Sequence, residues 1–207
     1  EDLDGWGIDV ILTAAQKCFG APPGLAIDIF SKRAIEKRKK LPKVKAYYAD
    51  ILRWLPVMEN PKKYFSTPAI NEIRAFYEAT RLVMEEGLEN RFNRHERYAS
   101  AIRSGLISLG FSIYTDETCL APTLSVVKYP EGIEDQAFRQ KLDEQGVVVA
   151  GGLGPTAGQI FRLGHMGSLT REEIIFAFDA IEKTLLSLGG EVSLGDGVET
   201  VRSLLIR

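Results

Sequence analysis

The stretch Gly7-Ile8-Asp9-Val10-Ile11-Leu12-Thr13-Ala14-Ala15-Gln16-Lys17-Cys18-Phe19-Gly20-Ala21-Pro22-Pro23-Gly24-Leu25-Ala26-Ile27-Asp28-Ile29-Phe30 decides how this chain is read. Two short apolar runs, Ile8 to Leu12 and Leu25 to Phe30, are rich in β-branched residues and flanked by Gly and Pro. That pattern predicts two buried strands. The loop between them carries one lysine, Lys17, among small and apolar residues. In such a place desolvation lowers an amine's pKa, and a partly neutral lysine attacks carbonyls and forms Schiff bases. The other reading is a lysine whose head snorkels out from a strand end. Spacing alone does not choose between them.

Outward from that stretch, residues 31–45 hold eight Lys or Arg and one acid, Glu36. Charge runs are solvated helix faces more often than ligand patches. A basic nucleic-acid or lipid patch over 32–45 is the competing reading. Tyr47, Tyr48 and Trp54 read as the packing stripe of a helix over about 46–57. In Tyr64-Phe65-Ser66-Thr67-Pro68, Thr67 is placed as an N-cap with Pro68 at the first helical position. A long helix over about 69–108 follows, with a break near Gly87. From Gly110 the pattern becomes β-α-β-β-α: strands at 123–129, 147–149 and 159–163, and helices over 134–145 and from the capping box Thr170–Glu173 through Leu185. The tail from Gly189 shows no clear period. Four segments are expected: 1–65, the end of a large domain; 66–109, a linking helix; 110–188, a small α+β domain; and 189–207, a tail.

Composition narrows the function. The chain has 207 residues, 45% hydrophobic and 26% charged, with a net charge of -2, so the overall basic excess of a nucleic-acid binder is absent. No apolar run reaches the length of a membrane helix. Two cysteines, Cys18 and Cys119, lie far apart and suit a reducing cytoplasm. No metal-ligand spacing occurs among the two histidines and two cysteines. Neither Gly20–Gly24 nor Gly152–Gly154 has the spacing of a phosphate loop. Tyr64 and Thr67 offer two hydroxyls beside a helix N-terminus, where a phosphate is favoured; a capped helix with a packed tyrosine is the plainer reading. Arg162 lies in an apolar strand, suited either to a bidentate substrate carboxylate or to an internal salt bridge.

Taken together, three segments resemble the class V aminotransferases, in particular the alanine–glyoxylate and serine–glyoxylate branch. Ala15-Gln16-Lys17 with Ala21-Pro22-Pro23-Gly24 is similar to that family's S-Q-K…A-P-P-G segment. Tyr64-Phe65-Ser66-Thr67-Pro68 is similar to its Y-x-x-T-P segment. Gly154-Pro155, Gly158, Arg162-Leu163-Gly164 and Met166-Gly167 are similar to its late G-P…G…R-[IL]-G-x-M-G segment. The resemblance covers about residues 5 to 187. It implies an α/β fold: the C-terminal part of a fold-type I pyridoxal-phosphate enzyme, with the end of the large-domain sheet, a linking helix and a small C-terminal domain. It further implies that Lys17 holds pyridoxal 5'-phosphate as a Schiff base and shuttles the proton. Gln16 would contact the cofactor, and Tyr64 and Thr67 would bind its phosphate, typically that of the neighbouring subunit of a homodimer. Arg162 would clamp the substrate carboxylate. Ala15 departs from the family's Ser. The expected reaction is ping-pong transfer of an amino group from alanine or serine to glyoxylate or pyruvate. The chain is expected to be a C-terminal portion, inactive without the N-terminal half of its parent. Phosphoserine aminotransferase is the neighbouring alternative, and a non-catalytic protein binding through the basic patch is the distant one.

Overall fold

The computed structural model describes residues 3–205 and divides the chain into two units, one running to Leu82 and the other starting at Val83. In the first, the β-branched runs pair as β1 (Val10–Ala14) and β2 (Ala26–Phe30), antiparallel, from Val10 opposite Phe30 to Ala14 opposite Ala26. The pairing fits the expectation of strands, but their burial does not. Val10, Leu12 and Ile29 are exposed, Leu12 to 74%. A strand is buried when layers cover both faces of its sheet, and among the described residues this sheet has two strands.

The basic run forms α1 (Lys32–Lys39), which buries no residue. Ser31 caps it, its Oγ accepting from Ala34 N at 3.1 Å and donating to Asp9 Oδ1 at 2.7 Å. Arg33 grips the same carboxylate through Nε (2.8 Å) and Nη2 (2.7 Å), so α1 is tied to the start of β1. Arg38 makes a similar fork on Asp50, at 2.9 and 2.6 Å. Asp50 in turn caps α2 (Ile51–Glu59), accepting from Leu52 N. This cap starts the helix five residues later than the aromatic stripe suggested and leaves Tyr47 and Tyr48 outside it.

The long helical stretch is two helices, α3 (Ile70–Glu86) and α4 (Leu88–Ser108), parted at Gly87, whose φ of +81° a side chain would resist. Helix α3 begins at Ile70, and Thr67 is not its side-chain cap: no hydrogen bond from its hydroxyl occurs among the described residues.

The second unit is a four-stranded antiparallel sheet, β3 (Ser112–Ile113), β4 (Leu124–Lys128), β5 (Ala150–Gly151) and β6 (Ile160–Gly164), in the order β3-β4-β6-β5. Strand β5 falls just after the expected 147–149. Helices α4, α5 (Asp135–Glu144) and α6 (Arg171–Ser187) bury Ile102, Leu106, Phe138, Phe178 and Ile181 with Val127 and Phe161 of the sheet. The Thr170–Glu173 capping box forms as expected. The tail is corrected: it folds as α7 (Asp196–Leu205), which buries Val198, Val201 and Leu205 in the same core. Gly105 makes this possible, because a Cβ there would sit 2.4 Å from Val201 Cγ2 and 2.5 Å from Phe178 Cε1. Buried Glu182 holds the start of α7, accepting from Gly195 N at 2.7 Å and Val198 N at 2.8 Å. Among the described residues no helix is long and apolar enough to cross a membrane.

Candidate functional site

The turn between β1 and β2 is shaped by small residues. Ala15 N donates to Leu25 O (3.2 Å), Ala21 N to Ala15 O (3.1 Å) and Gly20 N to Lys17 O (3.0 Å). Ala15 and Ala21 are thereby buried while Gln16, Lys17 and Cys18 face outward. Phe19 anchors the turn edge-on against Phe76 of α3 at 4.9 Å. Gly24, at φ +144°, allows close approach of the same helix, since a Cβ there would lie 3.1 Å from Glu72 Cγ. The apolar crevice expected around Lys17 is therefore absent among the described residues: the amine is exposed, because the turn buries its alanines instead. No carboxylate lies within ion-pair distance of Lys17 among the described residues.

Tyr64 and Thr67 belong to the same unit and are both exposed. The residue between them that fixes their segment is Phe65. Its ring meets Trp54 of α2 at 4.9 Å and Tyr47 at 5.7 Å. The Arg53 guanidinium lies 3.7 Å from the centroid of Tyr47 and 4.8 Å from that of Phe65. Trp54 Nε1 donates to Tyr48 O at 2.7 Å. Edge-to-face and cation–π contacts of this kind each contribute roughly 0.5–1.5 kcal/mol. The hydroxyls of Tyr64 and Thr67 make no hydrogen bond among the described residues, nor does the Gln16 amide.

Arg162 lies in the second unit, on β6 opposite Val126 of β4 and Ala150 of β5. Its Nε donates to Gly151 O at 2.9 Å. Among the described residues no carboxylate pairs with it, so the internal salt bridge is ruled out there and its terminal nitrogens remain available to a carboxylate. Gly152 is required beside it, because a Cβ would meet Thr156 O at 2.1 Å. A cavity of about 540 Å³ lined by Asp9, Phe30, Arg33, Leu41 and Asp50, among others, contains none of the five expected site residues.

Sequence reading passed over both histidines. His165 follows β6 and is buried, its Nε2 paired with Ser125 Oγ at 2.9 Å. Burial first, and the Arg103 charge second, push it down to about 4. His95 on α4 is buried too, its Nδ1 facing Arg91 O at 2.7 Å, and burial lowers its pKa as well. For His165 the signal was its place at the end of an apolar strand; His95, among charged neighbours, had none.

Residues 1–174 match the family model described as aminotransferase class-V. The chain is 41% identical over 207 residues to an uncharacterized aminotransferase of Methanocaldococcus jannaschii, covering 100% of this chain and 54% of that protein. It is 32% identical over 218 residues to the (S)-ureidoglycine–glyoxylate transaminase of Bacillus subtilis, covering 95% of this chain and 52% of that one. The crystal structure of ureidoglycine–glyoxylate aminotransferase from Bacillus subtilis superposes with a TM-score of 0.92 at 29% identity, over 99% of this chain and 54% of that chain. The fold is thus that of a fold-type I aminotransferase. The chain belongs to the class V aminotransferase family, whose enzymes depend on pyridoxal phosphate. It spans about half the length of the curated relatives it matches. The residues present fit that cofactor: among the described residues, an amine without a counter-ion at Lys17, and unengaged hydroxyls at Tyr64 and Thr67 for a phosphate.

Proposed function

We propose that this chain is the C-terminal portion of a cytoplasmic, homodimeric transaminase that moves an amino group from alanine or serine to glyoxylate or pyruvate. The observation that carries the reading is Arg162: a guanidinium in an apolar strand, fixed at Nε and without a carboxylate partner among the described residues. A planar fork so presented binds a substrate α-carboxylate in two parallel hydrogen bonds. Pyridoxal phosphate, when bound, supplies the electron sink for breaking the bond to the substrate α-hydrogen. Lys17 supplies the amine that holds the cofactor covalently and then takes and returns the α-proton. Gln16 contacts the cofactor, and Tyr64 and Thr67 donate to its phosphate, serving the partner subunit's site in the dimer. The N-terminal half of the parent chain covers Lys17 and provides the apolar surroundings that these residues lack.

The test is made in the parent enzyme. Amino transfer from alanine and serine is measured against phosphoserine as donor, with glyoxylate and pyruvate as acceptors. Lys17→Ala is expected to abolish transfer, and borohydride treatment should no longer fix the cofactor to the peptide containing residue 17. Undiminished turnover by Lys17→Ala, or a strong preference for phosphoserine, would remove this reading.

A further inference from the structure

The residue whose carbonyl accepts from Arg162 is packed against from the other face of the sheet. Gly151 lies on edge strand β5 opposite Phe161, so the position its Cβ would take is on the face that carries Phe161 and the helices. That position is filled by the guanidinium of Arg139 from α5: a Cβ on Gly151 would lie 3.1 Å from its Nε, 3.2 Å from Cζ and 3.3 Å from Nη2. Arg139 is not loose. Its Nε and Nη2 donate to the two oxygens of Asp135 at 3.0 and 2.7 Å. Asp135 Oδ1 also accepts from the Tyr129 hydroxyl at 2.6 Å. The Tyr129 ring is packed against Phe138 and Phe161, both fully buried, with centroids 5.4 Å away in each case. The chain of contacts therefore runs from the aromatic core, through Tyr129 and Asp135, to the Arg139 fork, the Gly151 backbone and Arg162.

We propose that Asp135 and Arg139 form a positioning unit for the substrate-carboxylate arginine, setting the place of Gly151 O and with it the direction of the Arg162 guanidinium. The inference rests on Arg162 being the carboxylate clamp. Arg139 lies on the face of the sheet opposite the one that carries the Arg162 side chain. Its fork is satisfied by Asp135, and its effect passes through a glycine that admits it only because no side chain is there. The amino donor and the oxo acid acceptor use the same clamp, so both should feel the unit equally.

The experiment uses the parent holoenzyme. Arg139→Ala and Gly151→Ala, the latter pushing Arg139 aside, are each expected to raise KM for both substrates about tenfold with kcat little changed, as loss of uniform binding requires. The inhibition constant of an unreactive carboxylate such as propionate should rise by the same factor, and the dissociation constant of the cofactor should not move. The double variant should match Arg139→Ala alone, because the methyl then meets no guanidinium. Arg139→Lys, which keeps the charge but not the fork, should fall between and guards against misfolding of the alanine variant. If Arg162→Lys raises KM while Arg139→Ala and Gly151→Ala change only the melting temperature, the positioning role is overturned and the clamp stands. If Arg162→Lys leaves KM unmoved, the clamp itself fails and the positioning role falls with it.

Discussion

Arg162 and Lys17 were both singled out in the sequence, but the local pattern served them unequally. An arginine among apolar residues has two fates, and local sequence cannot separate them, since a carboxylate partner can come from anywhere in the fold. The structure shows no carboxylate paired with Arg162 among the described residues, and its Nε donating to Gly151 O. For Lys17 the local pattern misled. Small residues around a lysine can bury it or can bury themselves, and here Ala15 and Ala21 went in. His165 carries a residue-scale prediction. Its folded pKa of about 4 lies below the ordinary 6.5, so the native state binds a proton less readily than the unfolded chain. The stability it permits is complete above about pH 6.5 and is lost as the pH falls toward 4, by on the order of 3 kcal/mol. His95 adds in the same sense. Denaturant unfolding at pH 7 and pH 5 should show the loss, and His165→Gln should flatten it. An equal loss in that variant would assign the effect elsewhere.

At the scale of elements, strands β1, β2, β4 and β6 and helices α3 to α6 were readable because each carries its own period or cap. Helix α7 was not, although Val198, Val201 and Leu205 follow a helical spacing. The glycines at 189, 190 and 195 blurred its start, and its cap, Glu182, is supplied by another helix rather than by a neighbour in sequence. The helix packing around Gly105 makes a second prediction. Gly105→Ala places a methyl into Val201 and Phe178 and should cost roughly 1–3 kcal/mol by overpacking, despite alanine's better helix propensity. Adding Val201→Ala should recover part of that cost in denaturant unfolding. A stabilised Gly105→Ala would show that the three helices are less tightly packed than the geometry says.

For the molecule as a whole, sequence patterning foresaw strands but not what covers them, because the covering layers of a sheet come from distant chain. Leu12 at 74% and Val10 at 50% exposed place apolar side chains in water. Such surfaces associate. The isolated chain should therefore run at a size that rises with concentration in gel filtration, and Leu12→Lys should reduce the effect; a concentration-independent monomer in both would count against it. The seat of α7 against Glu182 bears on synthesis too. Until residues 195–198 leave the ribosome, that carboxylate has no backbone N–H to meet and keeps its water. Early collapse of helices α4 to α6 around it is disfavoured, so the second unit closes only once α7 is present to dry the carboxylate out.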